Sequence, residues 1–163
     1  MNTTTLTAEQ KRVGAALLAI RLAAGLVFLY HGSAILFGAF GGPGLAGFSA
    51  YTHLPTPVAF LVGLAQFCGG LAMLTGILAR LGAVAIIPVM LGAIFMVHLP
   101  KGFDISKGGM EYALTQLLIA VAVLIAGAGP YSLAYLLFPT LARPSGEAAT
   151  PRHTPQAPPA PQT

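Results

Sequence analysis

Apolar residues in this chain come in continuous blocks and do not alternate with polar ones. The first block runs from about Val13 to Phe37, interrupted only by Arg21 and the Tyr30-His31 pair. A second runs from about Pro57 to Leu78, a third from about Leu81 to Leu99, and a fourth from about Met110 to Ala128. Each holds about 19–25 residues, which as a helix rising about 1.5 Å per residue crosses a hydrocarbon layer of about 30 Å. A membrane strand would alternate apolar and polar positions, and these Leu-, Ala- and Ile-rich blocks do not. "GAFGGPGLAGFSAYTHLPTP" separates the first two blocks as a Gly/Pro-rich loop, and "PKGFDISKGG" separates the last two. Almost nothing lies between the second and third, which predicts a tight antiparallel hairpin turned at Ala79-Arg80. The pattern predicts an all-α fold, an integral membrane four-helix transmembrane bundle.

Local signals refine the boundaries. "TAEQ" at Thr7 has the form of a capping box, so the first helix is expected to begin near Ala8 with an amphipathic turn. Pro88 falls inside the third helix, where a kink is tolerated if neighbours satisfy the freed carbonyl. Gly127 and Gly129-Pro130 stop the fourth. The aromatic piece "YSLAYLLF" then suits the membrane interface. Three regions result: a cytoplasmic N-terminal segment at 1–12, a transmembrane domain at 13–138, and a Pro/Ala-rich cytoplasmic tail at 139–163, expected to be disordered. In the second helix Ala65, Gly69, Ala72 and Gly76 recur at spacings of four, three and four, a smooth face for close helix packing within or between subunits.

Composition turns the pattern into a membrane assignment. Hydrophobic residues are 56% of the 163 and charged residues 7%, with a mean hydropathy of +0.80. A water-soluble domain carries roughly 25% charged residues, so the exterior of this one must be lipid-facing. The net charge of +4 comes from scattered cations, which argues against a nucleic-acid surface. Those cations report orientation. Lys11, Arg12, Arg80, Arg143 and Arg152 fall on one side, with Arg21 close to it, and only Lys101 and Lys107 on the other. The positive-inside rule then places both termini in the cytoplasm of a multi-pass inner-membrane protein. "MNTTTLTAEQ" lacks the pattern of a secretory signal. The single Cys68 excludes an internal disulfide and CxxC chemistry, and reads as a small apolar filler.

Within the blocks, polar side chains are few: Arg21, Tyr30, His31, Gln66, Thr75, His98, Glu111, Thr115 and Gln116. Placing an ionisable group in hydrocarbon costs about 2.5–3.5 kcal/mol, so each should face the bundle interior or an interface. Depth brings His31, His98 and Glu111 to one level, the outer mouth of the bundle, with Lys101 and Asp104 just above. Gln66 falls near the midplane. Three readings of the outer cluster stand side by side. Its members can be structural, with Glu111 favoured at a helix N-terminus. They can form a pocket that handles protons or a ligand. Two histidines and a carboxylate can also make a facial triad for a metal, although they come from three helices with no ligand spacing.

Several motifs together resemble the DoxX family. "RLAAGLVFLYHGSAILFGAFG" from Arg21 is similar to its opening helix, and "GGLAMLTGILARLGA" from Gly69 to its hairpin between helices two and three, with the arginine at Arg80. "MLGAIFMVHLPKGFDISKGGMEYAL" from Met90 and "GAGPYSLAYLL" from Gly127 resemble its later motifs, so the likeness spans about residues 17–138. The family takes its name from membrane subunits associated with a thiosulfate:quinone oxidoreductase. The resemblance implies a four-helix membrane fold and a subunit or anchor in a thiol- or quinone-linked redox system. On that reading Tyr30, His31, Gln66, His98, Glu111 and Tyr112 line an outer-facing ligand pocket, with a quinone as the possible ligand. His31, His98 and Glu111 are the candidates for proton handling, while Arg21 and Arg80 are structural. No GxGxxG, CxxCH or cysteine cluster is present, so electrons would come from a redox partner protein or the quinone itself. The alternative is a non-enzymatic small-solute or lipid-binding, transport-like protein, for which four helices call for a homo-oligomer. A structural assembly factor is a third option, so the sequence leaves open whether the protein is an enzyme. Two positions depart from the family: Ile35 stands where relatives commonly carry lysine, and Gln66 where they commonly carry glutamate. Joint loss of an ion pair is tolerable, whereas loss of one partner would strand a buried charge.

Overall fold

The structure is a computed structural model that describes residues 6–137. The tail expected at 139–163 and the first five residues of the N-terminal segment lie outside the described residues. Helix α1 spans Ala8–Phe37 and opens on the anticipated capping box. The Gln10 N–H donates to the Thr7 hydroxyl at 3.2 Å, and the Thr7 N–H donates to Gln10 Oε1 at 2.9 Å. Gly38, with φ of 65°, ends it. Helices α2 (Gly44–Thr52), α3 (Thr56–Thr75), α4 (Ala79–Gly92), α5 (Glu111–Ala126) and α6 (Leu133–Leu137) follow. Beyond Gly92, α4 continues through a π-helical turn at Ala93–His98 and a 3-10 turn at Leu99–Lys101.

Helix α1, helix α3 and the rod Ala79–Lys101 are long and apolar enough to cross a membrane. Their outward faces are as oily as their inward ones: Leu26, Leu61, Leu71 and Leu81 are all exposed, as are Leu118 and Ile125 on α5. Helices that are apolar all round belong in lipid, because a bundle in water needs a polar outer stripe. The chain is therefore a helical membrane protein. The fourth block forms a shorter helix than its apolar run predicts, 16 residues instead of a stretch from Met110 to Ala128, because Met110 and Gly127 lie in its flanking turns.

The four long helices run alternately up and down. Helix α1 packs on α3, α3 on α4, α4 on α5, and α5 returns to α1 along the sparsest seam. Small residues set how close they come. Gly69 and Ala72 of α3 meet Gly82 of α4, and Ile86 also lies against Gly69, so these two of the four predicted small residues form an internal seam, while Gly76 lies against Arg21 and Ser132. A second close approach, between Gly32 of α1 and the Phe67 backbone of α3, was not marked by that spacing. The hairpin turns earlier than expected, at Gly76 and Leu78, both with positive φ, and α4 already begins at Ala79.

The largest correction concerns the Gly/Pro-rich connection after α1, which folds into helix α2. Pro43 precedes it, the Thr52 hydroxyl donates back to the Phe48 carbonyl at 2.7 Å, and the Ser49 hydroxyl donates to Leu54 at 2.6 Å. His53, in the left-handed conformation, stops it. Helix α2 packs against α1 and α3. The core of Ala24, Phe28, Met73, Ala83, Ile86, Ala120 and Val123 occupies the half of the bundle nearer the chain termini. The other half, towards α2, holds the site.

Candidate functional site

A cavity of about 430 Å³ opens in the α2 half. Each helix contributes one stripe at helical spacing. Helix α1 gives Phe28, His31 and Ile35, α3 gives Val58, Val62 and Gln66, and α5 gives Tyr112, Ala113 and Gln116. Positions three and four apart share a helix face, so one orientation of each helix delivers the whole stripe. Helix α4 adds Pro88, Val89 and Ala93, then Met96 and His98 from its π-turn. A π-turn carries one residue more than an α-turn and changes which side chains face inward beyond it. Phe48, Tyr51 and Thr52 of α2 lie along the cavity on its loop side.

The walls are mostly apolar, and the polar groups among them are unevenly satisfied. The His98 Nδ1–H donates to the Gly108 carbonyl at 2.8 Å. A carbonyl only accepts, so that bond fixes the proton on Nδ1 and leaves Nε2 of the neutral ring with a free lone pair. Gln66 and Gln116 are each 6% exposed. The Gln116 Oε1 is buried without a hydrogen-bond partner. A buried acceptor left unpaired costs about 1–3 kcal/mol. His31 forms part of the wall while much of its ring stays accessible.

His31, Gln66, His98 and Tyr112 thus share this cavity; Tyr30 and Glu111 are not among its lining residues. Tyr30 turns outward and stacks on Phe40 with ring centres 4.9 Å apart, and the His31 ring meets it edge-on at 5.4 Å. Glu111 is exposed at the start of α5, and its carboxylate accepts the Ile105 N–H at 3.3 Å. The same helix turn that sends Tyr112 and Gln116 inward sends Glu111 to the loop. Among the described residues no three His, Cys, Asp or Glu side chains come together as metal ligands, so the triad weighed from sequence is not assembled.

The two arginines lie far from the cavity. Arg21 is 0% exposed. Its Nη1 donates to the Met73 carbonyl at 3.1 Å and its Nη2 to the Tyr131 carbonyl at 2.6 Å, which ties α1 to the end of α3 and to the chain beyond α5. Arg80 donates to the Ile125 carbonyl at 3.1 Å, a cation at the C-terminus of α5. In the loop before α5, hydrogen bonds from the Ser106 hydroxyl and N–H hold the Asp104 carboxyl below its usual range. Gln116 and the α2 wall are the parts that sequence reasoning did not assign to the site. The Tyr112-Gln116 spacing of one helical turn was the available signal for Gln116. The small, Gly-rich composition of α2 gave none.

The DoxX family model matches residues 16–99, from the third turn of α1 through the π-turn, and so includes His31, Gln66 and His98. Comparison with curated proteins and with solved structures found no match.

Proposed function

This chain belongs to the DoxX family, and from that membership we propose that it is a membrane subunit or anchor of a redox system that holds a quinone ring in the cavity beside α2. The observation that carries the proposal is a mostly apolar cavity of about 430 Å³ whose wall brings His31, Gln66, His98, Tyr112 and Gln116 together. Small-molecule sites are mostly apolar, with a few placed polar groups, and span about 300–1,000 Å³. The residues present fit such a ring. Valines, Phe28 and Met90 cover its faces, while Gln116 and His98 meet its edge.

A bound quinone supplies two-electron, two-proton chemistry, with the electrons exchanged with a partner subunit. The chain's own part is binding and proton handling. The Gln116 amide, in the cavity wall, orients a hydroxyl of the reduced ring. His98 Nε2 is free to take a proton, and the Gly108 carbonyl on Nδ1 holds the imidazole in place through the change. His31, at the accessible part of the wall, suits the passage of that proton to water. Among the described residues, Lys11, Arg12 and Arg80 lie at the end opposite Lys101 and Lys107. That bias supports cytoplasmic termini and a cavity in the outer half of the inner membrane. The second reading, a lipid-binding or transport-like protein, is favoured by the dominance of apolar wall.

The test is extraction of protein purified from native membranes, with quinone quantified per chain. Wild type is expected to retain quinone, and Gln116→Leu and His98→Phe to lose most of it with the fold intact. Equal quinone in wild type and both variants would defeat the proposal.

A further inference from the structure

A second depression, of about 270 Å³, lies on the outer face between α3 and α4. Its lining is wholly apolar: Leu61, Ala65 and Ala85 belong to it alone, and Val58, Val62, Pro88 and Val89 also line the cavity. The same four side chains therefore form the partition between an inner chamber with hydrogen-bonding groups and an outer groove with none. Leu61 and Val58 stand exposed at the groove, on the surface that meets lipid. Ala65 and Ala85 keep its floor low, on either side of the α3–α4 seam. Pro88 lacks an N–H and so leaves the carbonyl one turn earlier without its helical partner, which loosens α4 at the level of the partition.

We infer that this groove is a tail subsite and a lateral access route: the cavity takes an amphiphile from the bilayer, head inside against Gln116 and His98, hydrocarbon tail along the α3–α4 groove. The inference rests on the cavity being the ligand site proposed above, and it adds the class of ligand and its direction of approach. The division of polarity carries it. A water-soluble solute would have no use for a wholly apolar extension on the lipid-facing surface. A tailed molecule with its head in the chamber would run its tail out between Val58, Val62, Pro88 and Val89, the side chains that divide chamber from groove. In lipid, the tail gains little from leaving other hydrocarbon, so its contribution comes from packing against the groove.

The experiment uses the full chain in lipid nanodiscs and two probes with the same head, trimethylhydroquinone without a tail and its decyl derivative, compared at equal concentration in the membrane. Wild type is expected to bind the decyl probe about tenfold more tightly than the tailless one, a difference that packing of a tail can supply. Ala65→Phe and Ala85→Phe fill the groove without touching the cavity. Each is expected to remove that advantage while binding the tailless probe as wild type does. If either fails to fold, Ala65→Leu is measured in its place. Equal binding of both probes by wild type, or filled variants indistinguishable from it, means that the groove holds only bulk lipid. That result overturns the inference and leaves the ligand site standing. If wild type binds neither probe, both fall together.

Discussion

The two halves of the bundle solve the problem of polar groups in lipid in opposite ways. Near the termini, Arg21 spends its charge on backbone: the carbonyls of Met73 and Tyr131 accept from it, and the apolar core closes around Ala24, Met73 and Val123. Towards α2 the helices leave a chamber, and one buried acceptor, the Gln116 Oε1, has no partner. A buried polar atom without a partner costs about 1–3 kcal/mol wherever it lies, and each half holds one, Arg21 Nε in the first and Gln116 Oε1 in the second. The first half offsets its unpartnered atom with two charge-assisted hydrogen bonds and close packing, whereas the second leaves its own beside an open chamber. Loss of polar groups should harm the first half and help the second.

The largest effect is expected at Arg21. Arg21→Met keeps the buried stem but strands two carbonyls, and should lower unfolding stability in detergent by about 3 kcal/mol, since each hydrogen bond to a charged group contributes about 1.5–3. An unchanged melt would show that the closed half does not depend on its arginine. The next test adds a charge to the open half. Ile35 and Gln66 both line the cavity. Ile35→Lys should cost about 2–3 kcal/mol as an unpaired cation in hydrocarbon. Joining Gln66→Glu to it should recover about half of that by giving the lysine a partner. Equal melting temperatures for the single and double variants would mean that the two positions do not communicate across the cavity.

The same division explains what could be seen in the sequence. The closed half is written in composition: apolar blocks, the capping box at Thr7 and the small residues at Gly69 and Ala72 are local signals, and each appears in the fold as a helix, a cap or a seam. The cavity depends on features that hydropathy does not encode. A π-turn at Ala93–His98 leaves no compositional mark, and it alters which side chains of α4 face inward. Helix α2 was hidden because Gly and Pro punctuate its sequence, while contacts with α1 and α3 supply what its propensity lacks. Depth alone placed Glu111 beside His31 and His98, but the rotation of α5 about its own axis sends the carboxylate to the Ile105 amide. Depth is legible from residue number, and facing is settled by packing.

The comparison sharpens further at Gln116. Gln116→Leu removes the orphan acceptor and fills apolar space, so apo protein should gain about 1 kcal/mol of stability in detergent. The same change should abolish quinone retention. A variant that is less stable than wild type without ligand would show that the amide is satisfied in the native membrane, and that the open half is not under strain.

The smallest effect lies in the loop that positions His98. The Asp104 carboxylate accepts the Ser106 N–H at 2.8 Å and caps the turn Ile105–Lys107, which is followed directly by Gly108, whose carbonyl holds His98. Hydrogen bonds from Ser106 lower the folded-state pKa of this aspartate below the unfolded one, so its contribution is present above the unfolded value of about 3.9 and is lost as pH falls through the folded value. The group is fully exposed, and the effect should be small. Asp104→Ala should therefore melt slightly below wild type at neutral pH, and the two curves should merge as the medium is acidified past both pKa values. A gap that persists unchanged into acid would assign the loop's order to the backbone bonds from Lys107 and Gly109 to the Asp104 carbonyl, at 3.1 and 2.9 Å, which do not titrate. His98 would then keep its orientation at any pH where the bundle survives.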